Sequence, residues 1–246
     1  MQACKCKVDL HVHTVLSPCA DLLMTPGNIL TKAGEEGTDI LAVTDHNSAE
    51  NVEVMMKLAA GTQITIIPGM EVETREEVHL LCLFKTLDDV MALQDIIYNA
   101  LPDLENDEEY FGYQLLTDIN DEYRGQVKRL LAVATDLSPG EVVEEVYRLG
   151  GVVIPSHIDT AHGLLYNLGL IPPELNLSVM EISRNADVVR LKERYKELQD
   201  CHFVKNSDSH YLSELKPLML LELNRKNLQE IIRVLQNEKG KKKFLE

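Results

Sequence analysis

Short apolar runs alternate with stretches of helical period along most of this chain, and many of the apolar runs stop at His, Asp or Glu. The first is Val8-Asp9-Leu10-His11-Val12-His13, whose alternation as a strand puts Asp9, His11 and His13 on one face and Val8, Leu10 and Val12 on the other. Two imidazoles and a carboxylate on one face suit a metal better than solvent or core. Thr25-Pro26 opens a helix with Ile29, Leu30 and Ala33 buried and Gly37 at its end. Residues 39–43 form a strand running into Thr44-Asp45-His46, and a second helix is expected from Ser48 to Gly61.

Residues 63–68 read as a β-branched strand ending at Gly69-Met70-Glu71, and 78–84 as another with His79 near its start. Thr86 and Asp89 cap the next helix. This alternation predicts an α/β chain of βα units with a largely parallel sheet. Between about 102 and 137 the pattern breaks: acidic residues cluster at 105–109, and 115–126 reads as a polar hairpin around Asn120-Asp121. This stretch is expected to be a small insertion, either a lid or surface decoration.

Alternation returns with the Ser138/Glu141 capping box. Strands follow at 152–155 leading to Ser156-His157, at 177–182 carrying Glu181, at 202–206 leading to Asp208-Ser209-His210, and at 218–223. An Asp187-capped helix and a closing helix after Asn227 complete the pattern. No repeat or linker stands out, so one domain over 1–246 is expected.

Composition narrows the class. At 246 residues the length suits one α/β barrel. No apolar run approaches the roughly 20 residues of a membrane span, and the chain leads from Met1 into a charged strand without a signal-like segment. Five cysteines without framework spacing suggest a reducing cytoplasm. The formal charge of −16 weighs against a dedicated nucleic-acid binder, though bound cations would offset part of it. The basic run Lys241-Lys242-Lys243 is expected to be a solvated tail.

In βα barrels, functional side chains sit where strands end. His11, His13, Asp45, His46, Glu71, His157, Asp208 and His210 all take such places, whereas His79 near a strand start does not. His and carboxylate donors without a Cys quartet suit zinc, manganese or iron in a hydrolytic site. There are too many for one ion, so two or three divalent ions and displacement at phosphorus are suggested.

Five ordered motifs carry a resemblance: His11-Val12-His13-Thr14, Thr44-Asp45-His46-Asn47, Pro68-Gly69-Met70-Glu71, Ser156-His157 and Asp208-Ser209-His210. They resemble those of the polymerase and histidinol phosphatase (PHP) family of metal-dependent phosphoesterases. The resemblance implies a distorted (β/α)7 barrel with a trinuclear site. It implies one ion on His11, His13, Glu71 and Asp208, a second sharing Glu71 with His79 and His157, and a third on His46 and His210. The remaining ligand of the third is open between Cys19, favoured by spacing, and Asp21, favoured by chemistry. His11, His13, Glu71 and Asp208 are the residues expected to carry the reaction.

Around this set, Asp9 is expected to orient a ligand imidazole or to stand as a buried charge near the ions. Arg184 is the candidate phosphate clamp, with Lys205 and Ser209 as weaker ones. His162 and His202 match no ligand position. Cys4 and Cys6 place two thiols on one strand face, and Cys82 reads as core.

The expected function is a cytoplasmic hydrolase of small phosphomonoesters or nucleotides, in which metal-activated hydroxide attacks phosphorus. Its partner is a small phosphorylated substrate, with nucleic acid admitted only as a short oligonucleotide and no membrane. The alternatives are an oligonucleotide-trimming nuclease and a non-catalytic metal-binding regulatory module. An amidohydrolase acting on carbon is a third, and the carbamylated lysine common in such barrels has no candidate at Val152–Ser156.

Overall fold

The computed structural model describes residues 3–236 and 242–245. Met1 and Lys241, on which two of the expectations above fall, lie outside the described residues. The elements in order are β1 (Cys4–Val12), α1 (Pro26–Glu36), β2 (Ile40–Val43), α2 (Val52–Ala59), β3 (Thr65–Glu73), β4 (His79–Leu83) and α3 (Leu87–Ala100). Then come α4 (Glu108–Phe111), β5 (Leu115–Thr117), β6 (Tyr123–Gln126), α5 (Pro139–Arg148), β7 (Val152–Pro155) and α6 (Leu164–Asn167). The chain continues with β8 (Val179–Glu181), α7 (Val188–Arg194), β9 (His202–Val204), β10 (Met219–Leu223), α8 (Leu228–Leu235) and β11 (Lys242–Phe244).

The fold is α/β, built on a curled seven-stranded sheet in the order β11-β10-β1-β2-β3-β4-β7. The parallel pair β8–β9 continues the wall, joined to β7 by Ile158 N–H donating to the Glu181 carbonyl. His13 N–H donating to the Ser209 carbonyl joins the segment after β9 back to β1, so the curl is a distorted barrel. The side chains sort into two apolar clusters. Val8, Leu10, Ile40, Ala42, Ile67, Leu81, Ile154, Val179 and Val204 fill the interior with β10 and α8. Leu41, Val43, Met70, Val72, Leu80 and Cys82 pack outward with residues of α1, α2, α3 and α5.

Several expectations need correction. The sheet is not largely parallel: β1, β2 and β3 are, but β4 runs antiparallel to both β3 and β7, and β10 antiparallel to β1. β3 does not end at Pro68. There its pairing with β2 stops, and residues 69–73 pair with β4 as a hairpin. Strict alternation in β1 also fails, because a register shift lies between Asp9 and Val12. Val8 and Leu10 join the interior cluster while Val12 joins the outer one. Such a bulge re-aims side chains at a barrel rim, and here His11 and His13 stand above Leu10 at the mouth.

Ser48 does not cap α2, which starts at Val52; the Ser48 hydroxyl instead meets Tyr98 Oη at 2.9 Å. The basic C-terminal segment is not a free tail. Residues 242–244 pair with β10, and Lys242 Nζ donates to the Phe203 carbonyl at 2.6 Å.

Residues 102–137 contain α4 and the β5–β6 hairpin and lie against the loops above β1 and β2. Leu115 N–H donates to the Val15 carbonyl, and Asn51 Nδ2 to the Leu115 carbonyl. Gly112 has φ +99°, and a Cβ there would lie 2.1 Å from the Pro18 carbonyl oxygen, so only glycine permits this approach. Among the described residues no helix is long and apolar enough to cross a membrane.

Candidate metal centre

On β3 the interior positions run Ile67, Gly69, Glu71, Glu73, passing from hydrocarbon to carboxylate as the strand reaches the mouth. Backbone bonds hold Glu71 from β2's extension: its N–H donates to the Asp45 carbonyl, and its carbonyl accepts from Asn47 N–H. The buried Glu71 carboxylate stands among five imidazoles. Its Oε1 lies 3.2 Å from His11 Nε2, 3.2 Å from His79 Nδ1 and 3.5 Å from His157 Nε2. Its Oε2 lies 3.4 Å from His13 Nε2 and 3.2 Å from His46 Nδ1. Asp208 Oδ1 approaches from the far wall, 3.2 Å from His11 Nε2 and 3.3 Å from His13 Nε2. His210 stacks on His13 with ring centroids 4.1 Å apart.

The reversed direction of β4 accounts for His79. An antiparallel strand begins where its neighbours end, so a residue at its start reaches the same mouth.

Carboxylates and a hydroxyl behind the imidazoles set their tautomers. His11 Nδ1–H donates to Glu181 Oε2 at 2.9 Å. The same oxygen accepts from His157 N–H at 3.0 Å, while Asn206 Nδ2 donates to Oε1 at 2.8 Å. Ser17 Oγ donates to Asp45 Oδ1 at 2.7 Å, so it accepts from His13 Nδ1–H at 2.9 Å. Both histidines thus turn Nε2 toward Glu71 and Asp208.

Asp9 does not perform the orienting role expected of it. Its Oδ1 accepts backbone N–H groups of His11, inside the bulge, and of Ser207. Its Oδ2 is buried without a hydrogen-bond partner, so Asp9 matches the other expectation, a buried carboxylate near the site, and imidazole orientation falls to Glu181 and Ser17. Glu181 was visible as a charge near a strand end, the signal that marks the other site residues, yet it was not assigned a role.

Electrostatics divide the cluster. Burial opposes charge on His11, but Asp208, Glu71 and Glu181 outweigh it and hold the imidazolium well above its usual range. Burial likewise opposes charge on His13 and His79; bonds to Asp208 and Glu71 raise His13, and Glu71 with Glu73 pushes His79 up to about 10. Burial and the neighbouring His13 charge hold His46 well below 6.5 and His210 down to about 4. Glu71 pays for burial too, but the His11 and His79 charges keep it well below the carboxylate range.

The third-ligand candidates separate in space. Cys19 lines the same cavity, of about 420 Å³, as His46, Glu71 and His210. Cys19 is exposed, yet desolvation within the cavity and then the charges of Glu71, Asp208 and Asp45 push its thiol up to about 12. The Asp21 carboxylate instead accepts from Leu23 N–H in its own turn. Among the described residues neither belongs to a group of three donors within 4.8 Å, whereas His13–His46–His210, His11–His13–Asp208 and His46–Glu71–His79 do.

His162, left unassigned above, joins Glu73 and His79 in a fourth such group and stacks on His79 at 4.6 Å. Its place depends on the loop after β7, which no local pattern signals. Arg184 lies in an adjoining cavity with His157 and Asp208, and Lys205 Nζ is held by the Arg184 carbonyl. His202 starts β9, away from the mouth.

The donor set fits divalent ions. Glu71 Oε1, His46 Nδ1 and His157 Nδ1 are buried without a hydrogen-bond partner. Each such atom costs about 1–3 kcal/mol unless a ligand satisfies it. Four residues at this rim, Asn47, His157, His162 and Asp208, also take positive φ without being glycine. Backbone strain of this kind collects at functional sites.

The PHP domain model matches residues 9–245. An uncharacterized protein of Methanocaldococcus jannaschii is 32% identical over 78 residues, covering 28% of this chain and 46% of that protein. The lesion-specific endonuclease PfuEndoQ of Pyrococcus furiosus superposes with a TM-score of 0.73 at 17% identity, covering 98% of this chain and 58% of that one. A Bifidobacterium adolescentis protein assigned as a metal-dependent phosphoesterase superposes with a TM-score of 0.55 at 16% identity, covering 93% and 94%. The chain thus spans less than two thirds of the first two proteins it resembles.

Proposed function

The chain belongs to the PHP domain family, and from that premise we propose that it is a metal-dependent phosphoesterase acting on small phosphomonoesters or nucleotides. The observation that carries the reading is the buried Glu71 carboxylate, ringed by five imidazoles and left with an unpartnered oxygen. His11, His13, Glu71 and Asp208 would hold one ion, and Glu71, His79 and His157 a second. His46 and His210 would hold a third, with Cys19 rather than Asp21 beside them. Zinc, manganese or iron suits these donors.

Bound divalent ions supply an activated water at neutral pH and offset the charge that builds on phosphoryl oxygens. The protein's own part is positioning. Glu181 and Ser17 fix His11 and His13 with Nε2 facing inward, so little reorganisation is needed when ions bind. Arg184, which lines the same adjoining cavity as Asp208, would donate hydrogen bonds to phosphate oxygens. The five free cysteines suit a reducing cytoplasm.

A nuclease acting on short strands is the second reading, favoured by the likeness to an endonuclease and limited by the charge of −16. A screen with added manganese over nucleotides, sugar phosphates and short oligonucleotides tests the proposal. Release of phosphate from monoesters, lost in Glu71→Gln, supports it. A folded, metal-loaded protein that cleaves no phosphoester contradicts it and leaves the regulatory-module reading.

A further inference from the structure

Glu73 and His162 take no part in holding the three ions above, yet the fold brings both to His79 at the edge of the same cavity. Glu73 ends β3, and its backbone is pinned there. Its N–H donates to Asn47 Oδ1 at 3.0 Å, and its carbonyl accepts from the N–H and the Oγ1 of Thr135, each at 2.9 Å. The loop after β7 is braced too. Thr160 N–H donates to the His157 carbonyl, Gly163 N–H to the Thr160 carbonyl, and His79 N–H to the His162 carbonyl at 2.8 Å. His162 is held in this loop at φ +59°, a conformation that costs a non-glycine residue about 1 kcal/mol or more.

These constraints bring three donors together. Glu73 is only 8% exposed, and among the described residues its carboxylate accepts no hydrogen bond. Its oxygens face His162 Nδ1 and His79 Nε2, each at 3.8 Å, beyond hydrogen-bond reach. The two imidazoles stack with centroids 4.6 Å apart and planes 18° apart, and the three donor atoms all lie within 4.8 Å of one another. An ion about 2.1 Å from each would draw neighbouring donors to about 3.4 Å, a small closure. Two imidazoles and one carboxylate facing an open cavity make a zinc donor set. The His162 side chain is 47% exposed, so an ion can reach the group from solvent.

His79 belongs to two donor groups through opposite ring atoms. Its Nδ1 faces Glu71 at 3.2 Å, and its Nε2 faces Glu73. A neutral imidazole has one lone pair and one N–H. It therefore serves an ion at Glu71 or an ion at Glu73, and not both.

We propose that Glu73, His79 Nε2 and His162 Nδ1 form a separate, weaker zinc site whose filling withdraws His79 from the second ion. Glu71 and His157 keep that ion, one ligand short, and excess zinc slows turnover. The binding stands on the geometry of these three side chains. Its effect on turnover rests on the phosphoesterase reading of the Glu71 cluster.

The test starts from protein loaded with zinc to its tight stoichiometry. Dialysis against rising zinc is expected to add one further equivalent, and crystals soaked in excess zinc should show anomalous density between Glu73 and His162. Turnover in excess zinc, relative to turnover at tight stoichiometry, should fall about tenfold or more, since lesser damage to a ligand's surroundings already costs that much. In His162→Asn, a replacement that tolerates positive φ, the added equivalent, the density and the inhibition should all disappear. Glu73→Gln should lose them as well. No density at this position in wild type, or undiminished density in both folded variants, overturns the site. Density there without any fall in turnover overturns the sharing of His79. Density present in wild type and lost in the variants, with no phosphoester hydrolysed at any zinc concentration, leaves the site standing and removes the phosphoesterase reading.

Discussion

The two ends of the barrel interior are built from opposite materials on the same strands. On β3 the inward positions are Ile67 below and Glu71 and Glu73 above; on β4, Leu83 and Leu81 below and His79 above; on β8, Val179 below and Glu181 above. The lower end is closed by Leu221, Leu223 and Ile231, all fully buried hydrocarbon. Its stability needs nothing beyond the chain, at about 25 cal/mol for each Å² of apolar surface buried. The upper end buries His11, His13, Asp45 and Glu71 completely or nearly so. Buried polar groups cost stability unless paired, and here several atoms remain unpaired. One end therefore carries the fold, and the other is arranged for an occupant.

The sharpest separation comes from Glu71→Gln. Removing the negative charge of the carboxylate proposed to bridge two ions is expected to cut phosphoesterase turnover by about 10³-fold or more, comparable to removing a main electrostatic stabiliser, while far-UV circular dichroism stays native. Retained turnover in that variant breaks the comparison at its centre.

Metal removal comes next. Ions bound at about 1,000 times their Kd add about 4 kcal/mol of stability, so chelation should lower the thermal midpoint and manganese restore it. The metal-free protein should also have a narrow stability maximum near pH 6.5. His79, raised to about 10, contributes stability below 6.5 that is lost as pH rises toward 10. His210, lowered to about 4, contributes stability above 6.5 that is lost as pH falls toward 4. A flat stability profile for the chelated protein between pH 5 and 9 contradicts this electrostatic account.

At the lower end, Leu221→Ala should cost about 2–5 kcal/mol by denaturant titration, with metal stoichiometry unchanged. Loss of ions in this variant would mean that the two ends are not independent. The smallest effect is expected for Glu181→Gln, about 10- to 100-fold in metal affinity, because it acts through its bonds to His11, the His157 backbone and Asn206 rather than on an ion.

Much of this was readable from local pattern. Strands that stop at His, Asp or Glu are short-range features, and His11, His13, His46, Glu71, His157, Asp208 and His210 all occur in them. What escaped depends on pairing partners distant in the chain. The direction of β4 is set by its neighbours, so His79 looked misplaced until the hairpin brought it to the mouth. The β1 bulge moved Asp9 from an orienting role to a backbone one. Asn47 entered only as the last residue of a motif, and its side chain ties β3 to residues 131 and 133. The Lys242–Phe244 strand needed β10 as a partner before it could be distinguished from a tail.

Anomalous scattering from crystals of protein reconstituted with manganese, iron or zinc tests the central claim most directly. The account predicts at least two ions, one contacted by His11, His13, Glu71 and Asp208 and another by Glu71, His79 and His157. A folded protein that shows no ion within reach of Glu71 with any of the three metals contradicts it.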